Sequence, residues 1–571
     1  MSRGPDRPTP EAGRPEPART WPSGAIVAAA AAVGLGLLID ASGRSSATYD
    51  EVAYLQIGAD WWRTGREERI TRMGSPLTFW KVQQAPVLAL LDRLGRGHLL
   101  DDPTAHQAEL LPLVRLGCLW IWLAALLATA AWSRRLYGPR AMALAAALFA
   151  LSPNLLAHGA LATMELPLLA CTTGVFFLFW EFLRTGRPAF FALAAALTGL
   201  AFSCKFTAVL VPPILGLAWW ADRRLGGERG LVRLSLRVGC GMLAFLAVLV
   251  VADLVVTGFA RLPLSPRTGS HPSLEGRLGP VLGGLVRRAI ETPIPQDWVG
   301  FVTQMRHQRH GGPSYLLGAT RMRGWWYYYV VALAVKVPLA FWLLATARAA
   351  CRRRIASAGH DGLLAVILAA FLAITALGSS RNYGLRYLLP LAPVAIVWVS
   401  ALAEGGAWAR RIGWVGAAGM ALAVASIHPH ELSYFNALAG GPRGGRHVLA
   451  DSNLDWGQGA RALARLQAAR PELRDLTLFY FGDTDPAHYG VVGRRHVIDA
   501  GDRHPDLPPA LAADTAYLAV STSLQWGPWG PRDYFRSLDR LRPVATLDDF
   551  TIAIYRTADL RATRSPAFPS Q

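Results

Sequence analysis

Residues 24–51 read GAIVAAAAAVGLGLLIDASGRSSATYDE, an apolar run followed by a polar stretch that ends on two adjacent carboxylates, Asp50 and Glu51. The run at 24–39 is close to the length a helix needs to cross a bilayer. The pair therefore comes to lie at a membrane surface. Carboxylates beside hydrocarbon are costly to keep, which makes them functional candidates.

Runs of this kind recur along the 571 residues, of which 52% are hydrophobic and only 17% charged. They fall at roughly 24–39, 112–132, 140–157, 164–183, 188–204, 206–220, 238–257, 326–347, 363–378, 387–402 and 413–428. The pattern predicts a polytopic α-helical membrane protein with about eleven transmembrane helices. A net charge of +19 would suggest nucleic acid in a soluble protein, but its placement argues otherwise. Arg134, Arg135 and Arg140, then Arg184 and Arg187, then Arg223, Arg224, Arg229, Arg233 and Arg237 occupy alternate connections. Arg348, Arg352 to Arg354, Arg410 and Arg411 continue the series, which is the positive-inside pattern. The basic excess is a topology signal, and nucleic acid is not an expected partner.

The N-terminus, with Arg3, Arg7, Arg14 and Arg19, falls on the inner side. Eleven crossings from there predict three parts. Residues 1–22 form a disordered cytoplasmic tail, and 23–428 a transmembrane domain with extracytoplasmic loops at 40–111 and 258–325. Residues 429–571 form a small extracytoplasmic α/β domain, with strand-like stretches at 447–450, 476–481 and 516–520 and a hairpin over 544–555. No small-x-small cleavage site follows the first run, so it is read as a retained helix. Cys118, Cys171, Cys204, Cys240 and Cys351 all lie outside the three outer segments and read as packing residues. Val52, Leu55, Ala59 and Trp62 make an apolar stripe expected to lie on the membrane surface.

Thr48 to Glu51 fit a capping box, which accounts for Glu51 and leaves Asp50 over. A first-turn Asp is also favoured by the helix dipole. Alternatively, a carboxylate at a cavity mouth takes a proton from an acceptor hydroxyl. Glu165 opens the fourth predicted helix on the same outer side, with His158 just before it. Arg386 and Tyr387 open the tenth. An outer arginine opposes the charge trend, and its planar guanidinium suits a phosphate as well as it suits snorkelling to headgroups. Lys81, Lys205 and Lys336, the only lysines, join Arg321 and Arg323 in an expected outer cationic patch for an anionic lipid head. Trp325 and Trp326 read as an aromatic belt, with sugar stacking as the other reading.

Together these residues resemble the GT-C superfamily of membrane glycosyltransferases. The nearest resemblance is to family 39, the protein O-mannosyltransferases and lipid A aminoarabinose transferases, in its bacterial branch. Tyr49-Asp50-Glu51 is similar to the acidic motif of that family's first outer loop, and Leu156-Ala157-His158-Gly159 through Glu165 to its second acidic loop. Gly324-Trp325-Trp326-Tyr327-Tyr328 and Arg386-Tyr387-Leu388-Leu389-Pro390 resemble later segments. The stretches from His428 to Asn436 and from Asp451 to Gln458 resemble a subgroup signature.

The resemblance implies a GT-C fold and a transferase of the bacterial inner membrane. A sugar passes, with inversion, from a polyprenyl-phosphate carrier to an unidentified acceptor on the outer face. It makes Asp50, with Glu51 and Glu165, catalytic. Arg386, Tyr387, Lys81 and Arg321 would grip the donor phosphate. His158, Trp325, Trp326, Asp451, Asn453 and Asp455 would meet the sugar or the acceptor. Two positions depart from the family. Glu165 stands where Asp is usual, and Gln83-Gln84-Ala85-Pro86-Val87 occupies the place of a basic residue before Pro-Leu. No His/Cys cluster has ligand spacing, and a divalent metal ion is left open. A lipid or sugar transporter and a carbohydrate-binding receptor are the alternative functions.

Overall fold

The computed structural model describes residues 22–66, 68–265, 278–351, 361–496, 515–530 and 534–563. The expected tail, except Pro22, and Arg352 to Arg354 lie outside the described residues. Among the described residues five helices are long and apolar enough to cross a membrane: Ser23–Arg44, Gln107–Leu136, Glu165–Thr185, Leu231–Val256 and Asp361–Gly378. Two bent pairs raise the number to as many as seven, short of the eleven expected.

Proline explains both bends. Pro139–Ala150 meets Pro153–Gly159 at 62°, and Tyr328–Lys336 meets Leu339–Ala350 at 104°. Pro153 and Pro338 lack an N–H and push the preceding residue out of helical geometry, so each helix must stop and restart. The breaks are joined to each other. Asn154 Nδ2 donates to the Lys336 carbonyl at 2.8 Å, satisfying an oxygen that the second bend frees. Lys336 Nζ donates in turn to the carbonyls of Leu432, at 2.8 Å, and Asn453, at 2.6 Å. Both bends therefore face the C-terminal part of the chain.

The spans differ in their surroundings. Leu231–Val256 turns Leu236, Leu243, Val251 and Val255 outward, as a helix bathed in hydrocarbon does. Glu165–Thr185 is mostly enclosed, with Trp180 and Phe176 fully buried. The membrane-surface helix expected from the stripe at 52–62 is placed differently. Helix Tyr49–Thr64 buries Val52, Leu55 and Ala59 inside the protein, with Gly58 against the Trp80 ring of helix Thr78–Arg93. Its apolar face is core, not a lipid contact.

Beyond residue 475 lies a five-stranded sheet in the order Arg494–His496, Leu476–Phe479, Tyr517–Ser521, Ile552–Arg556, Ala545–Thr546. The first three strands are parallel and the last two pair antiparallel to their neighbours. The stretch at 447–450 forms no strand. Apolar residues alternate to both faces: Leu476, Leu478 and Ile554 pack on helix Ala460–Ala469, and Phe479, Leu518 and Tyr555 pack on the other side with Tyr534.

One buried ion pair ties these parts together. Arg115 and Glu51 are both sealed from solvent and meet through two parallel contacts, Nε to Oε1 at 2.9 Å and Nη2 to Oε2 at 2.7 Å. Arg115 also donates to the carbonyls of Ser42, Ser45 and Ser46, so it gathers the chain leaving the first span. Removing one partner of such a pair leaves a buried charge uncompensated, at a cost of about 3–5 kcal/mol. Arg115→Met is expected to lower the thermal unfolding midpoint of the detergent-solubilised protein sharply, and the Arg115→Met/Glu51→Gln double variant to recover part of the loss. A double variant worse than the single one would contradict the pairing.

Candidate active site

The site begins at the N-terminus of helix Tyr49–Thr64, where Thr48 is extended as an N-cap must be. Glu51 reaches back to the Thr48 N–H at 2.9 Å, as the capping box predicts. It also accepts from the Ala162 N–H at 2.8 Å and from Arg115. With both oxygens engaged and the side chain 1% exposed, Glu51 is not free to act on a substrate. Grouped with the catalytic residues from the sequence, it is placed instead as a brace that holds the Asp50 loop to the loop before Glu165.

Asp50, the neighbouring residue, faces a cavity with its side chain 30% exposed. Its Oδ2 accepts from Arg386 Nη1 at 3.0 Å. The same nitrogen lies 3.3 Å from Glu165 Oε1, which accepts from Lys205 Nζ at 2.8 Å. Two carboxylates and two cations thus alternate across four elements. Arg386 sits on the short turn Leu385–Leu388, anchored by the Leu385 N–H donating to Asn453 Oδ1 at 3.0 Å. Its guanidinium lies 4.2 Å from the centre of the Trp456 ring, and Lys205 lies over Tyr387 at 4.9 Å. Burial raises the Asp50 carboxyl above its usual range, against the opposing pull of Arg386.

Three buried atoms here have no partner among the described residues: Arg386 Nε, Glu165 Oε2 and His158 Nδ1. Unpaired polar atoms of this kind are expensive, and their gathering around Arg386, which itself lines a cavity, marks a place shaped for a ligand or water. The cavity has a volume of about 380 Å³. Its floor is Asp50, Arg386 and Trp456, and its far wall comes from Asp451 and from the loops around Phe481 and Trp529.

The stretch from Asp451 to Gln458 closes the site from behind. Asp451 adopts φ +60°, a conformation that costs a non-glycine residue energy, and it presents its carboxylate to the cavity wall. Trp529 Nε1 donates to Asp451 Oδ2 at 2.8 Å. Asn453 and Asp455, expected among the sugar- or acceptor-contacting residues, are placed in supporting positions. Asn453 bonds Tyr328 and the Leu385 N–H. Asp455 accepts from the N–H groups of Gly457, at 3.1 Å, and Ser523, at 2.9 Å.

Other expected residues fall elsewhere. Lys81 stands over the Trp61 ring at 5.5 Å, and Arg321 over Trp325 at 5.2 Å. Trp325 is buried, and Trp326 is 66% exposed. Tyr387 and His158 do flank the site, His158 edge-on to Trp456. The single cationic patch expected from the three lysines is not formed: Lys205 joins the site, Lys336 is internal bracing, and Lys81 is apart. Among the described residues no group of three or more His, Cys, Asp or Glu side chains could hold a metal ion. Arg115, Trp456 and Trp529 were not singled out from the sequence. Arg115 carries the same signal as Arg386, a cation against the charge trend at an outer helix end.

Residues 111–252 match the family model described as dolichyl-phosphate-mannose-protein mannosyltransferase. The matched segment takes in Glu165 and Lys205 and ends before Arg386. It supports the resemblance to GT-C superfamily membrane glycosyltransferases read from the motifs. Comparison with curated proteins finds no match. Among solved structures, ArnT from Cupriavidus metallidurans in the apo state is similar at 13% identity over 96% of this chain and 100% of that chain, with a TM-score of 0.49. The same protein bound to undecaprenyl phosphate is similar at 14% identity over 96% and 99%, with a TM-score of 0.48. The Archaeoglobus fulgidus oligosaccharyltransferase complexed with Zn and sulfate is similar at 12% identity over 90% and 71%, with a TM-score of 0.42.

Burial pushes the Asp455 carboxyl up to about 8, against the N–H groups that donate to it. The folded state then holds this proton more tightly than the unfolded chain, where a carboxyl titrates near about 4. The resulting stability is present at low pH and is lost as pH rises through about 8. Asp455→Asn carries no such charge. The unfolding midpoint of the variant relative to the native protein should therefore improve between pH 5 and pH 9; a flat or falling difference would contradict this.

Proposed function

We propose that this chain is an inverting glycosyltransferase that moves a sugar from a polyprenyl-phosphate carrier to an acceptor at the extracytoplasmic face of a bacterial inner membrane. The observation that carries the reading is the shared contact of Arg386 with Asp50 and Glu165 at the floor of the cavity. A free anionic phosphate can replace the carboxylate on that guanidinium, and the unpartnered Nε supplies a second donor for a bidentate grip. The turn that carries Arg386 also backs an apolar cavity of about 240 Å³, to which Leu385, Leu388, Leu389, Phe341 and Trp342 contribute. A phosphate on one side of this turn and a hydrocarbon tail on the other suit a polyprenyl phosphate.

Phosphate binding draws Arg386 from Asp50 and frees the carboxylate to accept the proton of an acceptor hydroxyl. That oxygen attacks the anomeric carbon from the face opposite the phosphate, the bond from carbon to phosphate oxygen breaks, and configuration inverts. Arg386 and Lys205 receive the charge that develops on the leaving phosphate. Glu165 keeps both cations aimed at one place.

The proposed membrane arrangement follows the charges. In Glu165–Thr185 the acid stands at one end and Arg184 at the other, and Arg134 and Arg135 close the helix that begins at Leu119. We place the basic ends inside, the N-terminus with them, and the site outside, between the unit at 23–428 and that at 429–571.

Asp50→Asn tests the reading, with sugar release from a polyprenyl-phosphate sugar measured on the purified protein. Loss of a general base should slow turnover about a hundred- to ten-thousand-fold while the protein stays folded. Unchanged turnover would remove Asp50 from the chemistry.

A further inference from the structure

The cavity that Asp50 faces is also lined by a row of rings. Tyr49 and Phe481 are stacked with centres 5.6 Å apart and planes 17° from parallel. Phe481 and Trp529 continue the stack at 5.8 Å and 21°. Tyr383 leans on Trp529 from the side at 5.6 Å. The rings come from the helix after the first span, from the turn following strand Leu476–Phe479, from the loop before Arg386 and from the loop at 526–530. Phe481 is buried between its neighbours, whereas Trp529 ends the row and is 37% exposed.

The Trp529 ring is held in place. Its indole N–H donates to Asp451, itself 7% exposed and fixed in a left-handed backbone conformation that it adopts at a cost. The Ser452 N–H binds the other Asp451 oxygen. A surface packing residue would need none of this support. A flat apolar face, braced from behind and open to a cavity, is what a pyranose ring needs for its C–H groups. Its hydroxyls need a few placed polar side chains at the rim. Asp451, Asp483, Arg495 and His496 provide those. The wall carries both signs of charge, which suits a neutral polyol better than an anionic or a cationic sugar.

We propose that Trp529, positioned by Asp451 and continued by Phe481 and Tyr49, is the platform of a subsite for a neutral pyranose ring. The ring belongs either to the donor sugar or to a glycan acceptor. Its role in transfer rests on the glycosyltransferase reading above; its binding does not.

Saturation-transfer NMR on the detergent-solubilised full chain tests binding, with methyl α-mannopyranoside and methyl β-glucopyranoside as probes and glucuronate as the anionic control. The neutral pyranosides should give signals that fall at least fivefold in Trp529→Ala and largely return in Trp529→Phe. Equal signals in the native protein and Trp529→Ala, or stronger binding of glucuronate, would overturn the subsite. With a polyprenyl-phosphate sugar, the ratio of sugar transferred to native membranes to sugar released into water separates the two sources. A lower ratio in Trp529→Ala assigns the ring to the acceptor, and a parallel fall of both rates assigns it to the donor. If neither rate falls, the platform has no part in transfer and the proposal fails. Pyranoside binding that depends on Trp529, alongside a native protein that releases no sugar from any polyprenyl-phosphate sugar, would sink the glycosyltransferase reading and leave the subsite standing.

Discussion

Nη1 of Arg386 donates to Asp50 and also lies within reach of Glu165, residues 336 and 221 positions away in the chain. Three elements that share no local sequence are thereby held to one point. Without the cation, the buried carboxylate of Glu165 and the half-buried one of Asp50 would face each other, and neither could stay ionised cheaply. Without the carboxylates, Arg386 and Lys205 would repel. The cluster is stable only as a set, yet it is not saturated: Arg386 Nε and Glu165 Oε2 remain without partners. A purely structural network would be expected to close on itself. This one keeps a donor and an acceptor in reserve beside a cavity.

The Glu51–Arg115 pair complements it. Adjacent residues on one helical turn point in different directions, so Glu51 is drawn into the protein while Asp50 faces the cavity. The same carboxylate holds the Ala162 N–H, three residues before Glu165. The two acidic loops are therefore set relative to each other by a group that takes no part in the proposed chemistry. Two proline breaks, joined through Asn154 and Lys336, do the corresponding work on the other side by holding the carbonyls of Leu432 and of Asn453, the latter in the stretch that closes the site.

Much of the site is legible in the sequence because its residues violate local pattern. Asp50, Glu165 and Arg386 are charges at the ends of apolar runs, where each needs a reason to be kept. Arg115 carries the same signal but lies inside the run at 112–132, where the sequence does not show that the span Gln107–Leu136 breaks between helix Gln107–Leu116 and a second helix restarting at Leu119. Apolar runs report burial, not direction, so the bends at Pro153 and Pro338 and the inward face of Tyr49–Thr64 stayed hidden. The row from Tyr49 to Trp529 had no sequence signal, since its members are brought together only by the fold. Asn453 and Asp455 were read as ligand contacts from their motif, and only their hydrogen bonds reveal a supporting role.

The central claim is that Arg386 exchanges its carboxylate partner for the phosphate of a lipid carrier. A cryo-EM structure of the protein with a polyprenyl phosphate tests it most directly. The account predicts the phosphate on Arg386, with Asp50 released toward the cavity and the hydrocarbon tail against Leu388 and Phe341. A phosphate bound elsewhere, with the contact between Asp50 and Arg386 intact, would contradict it.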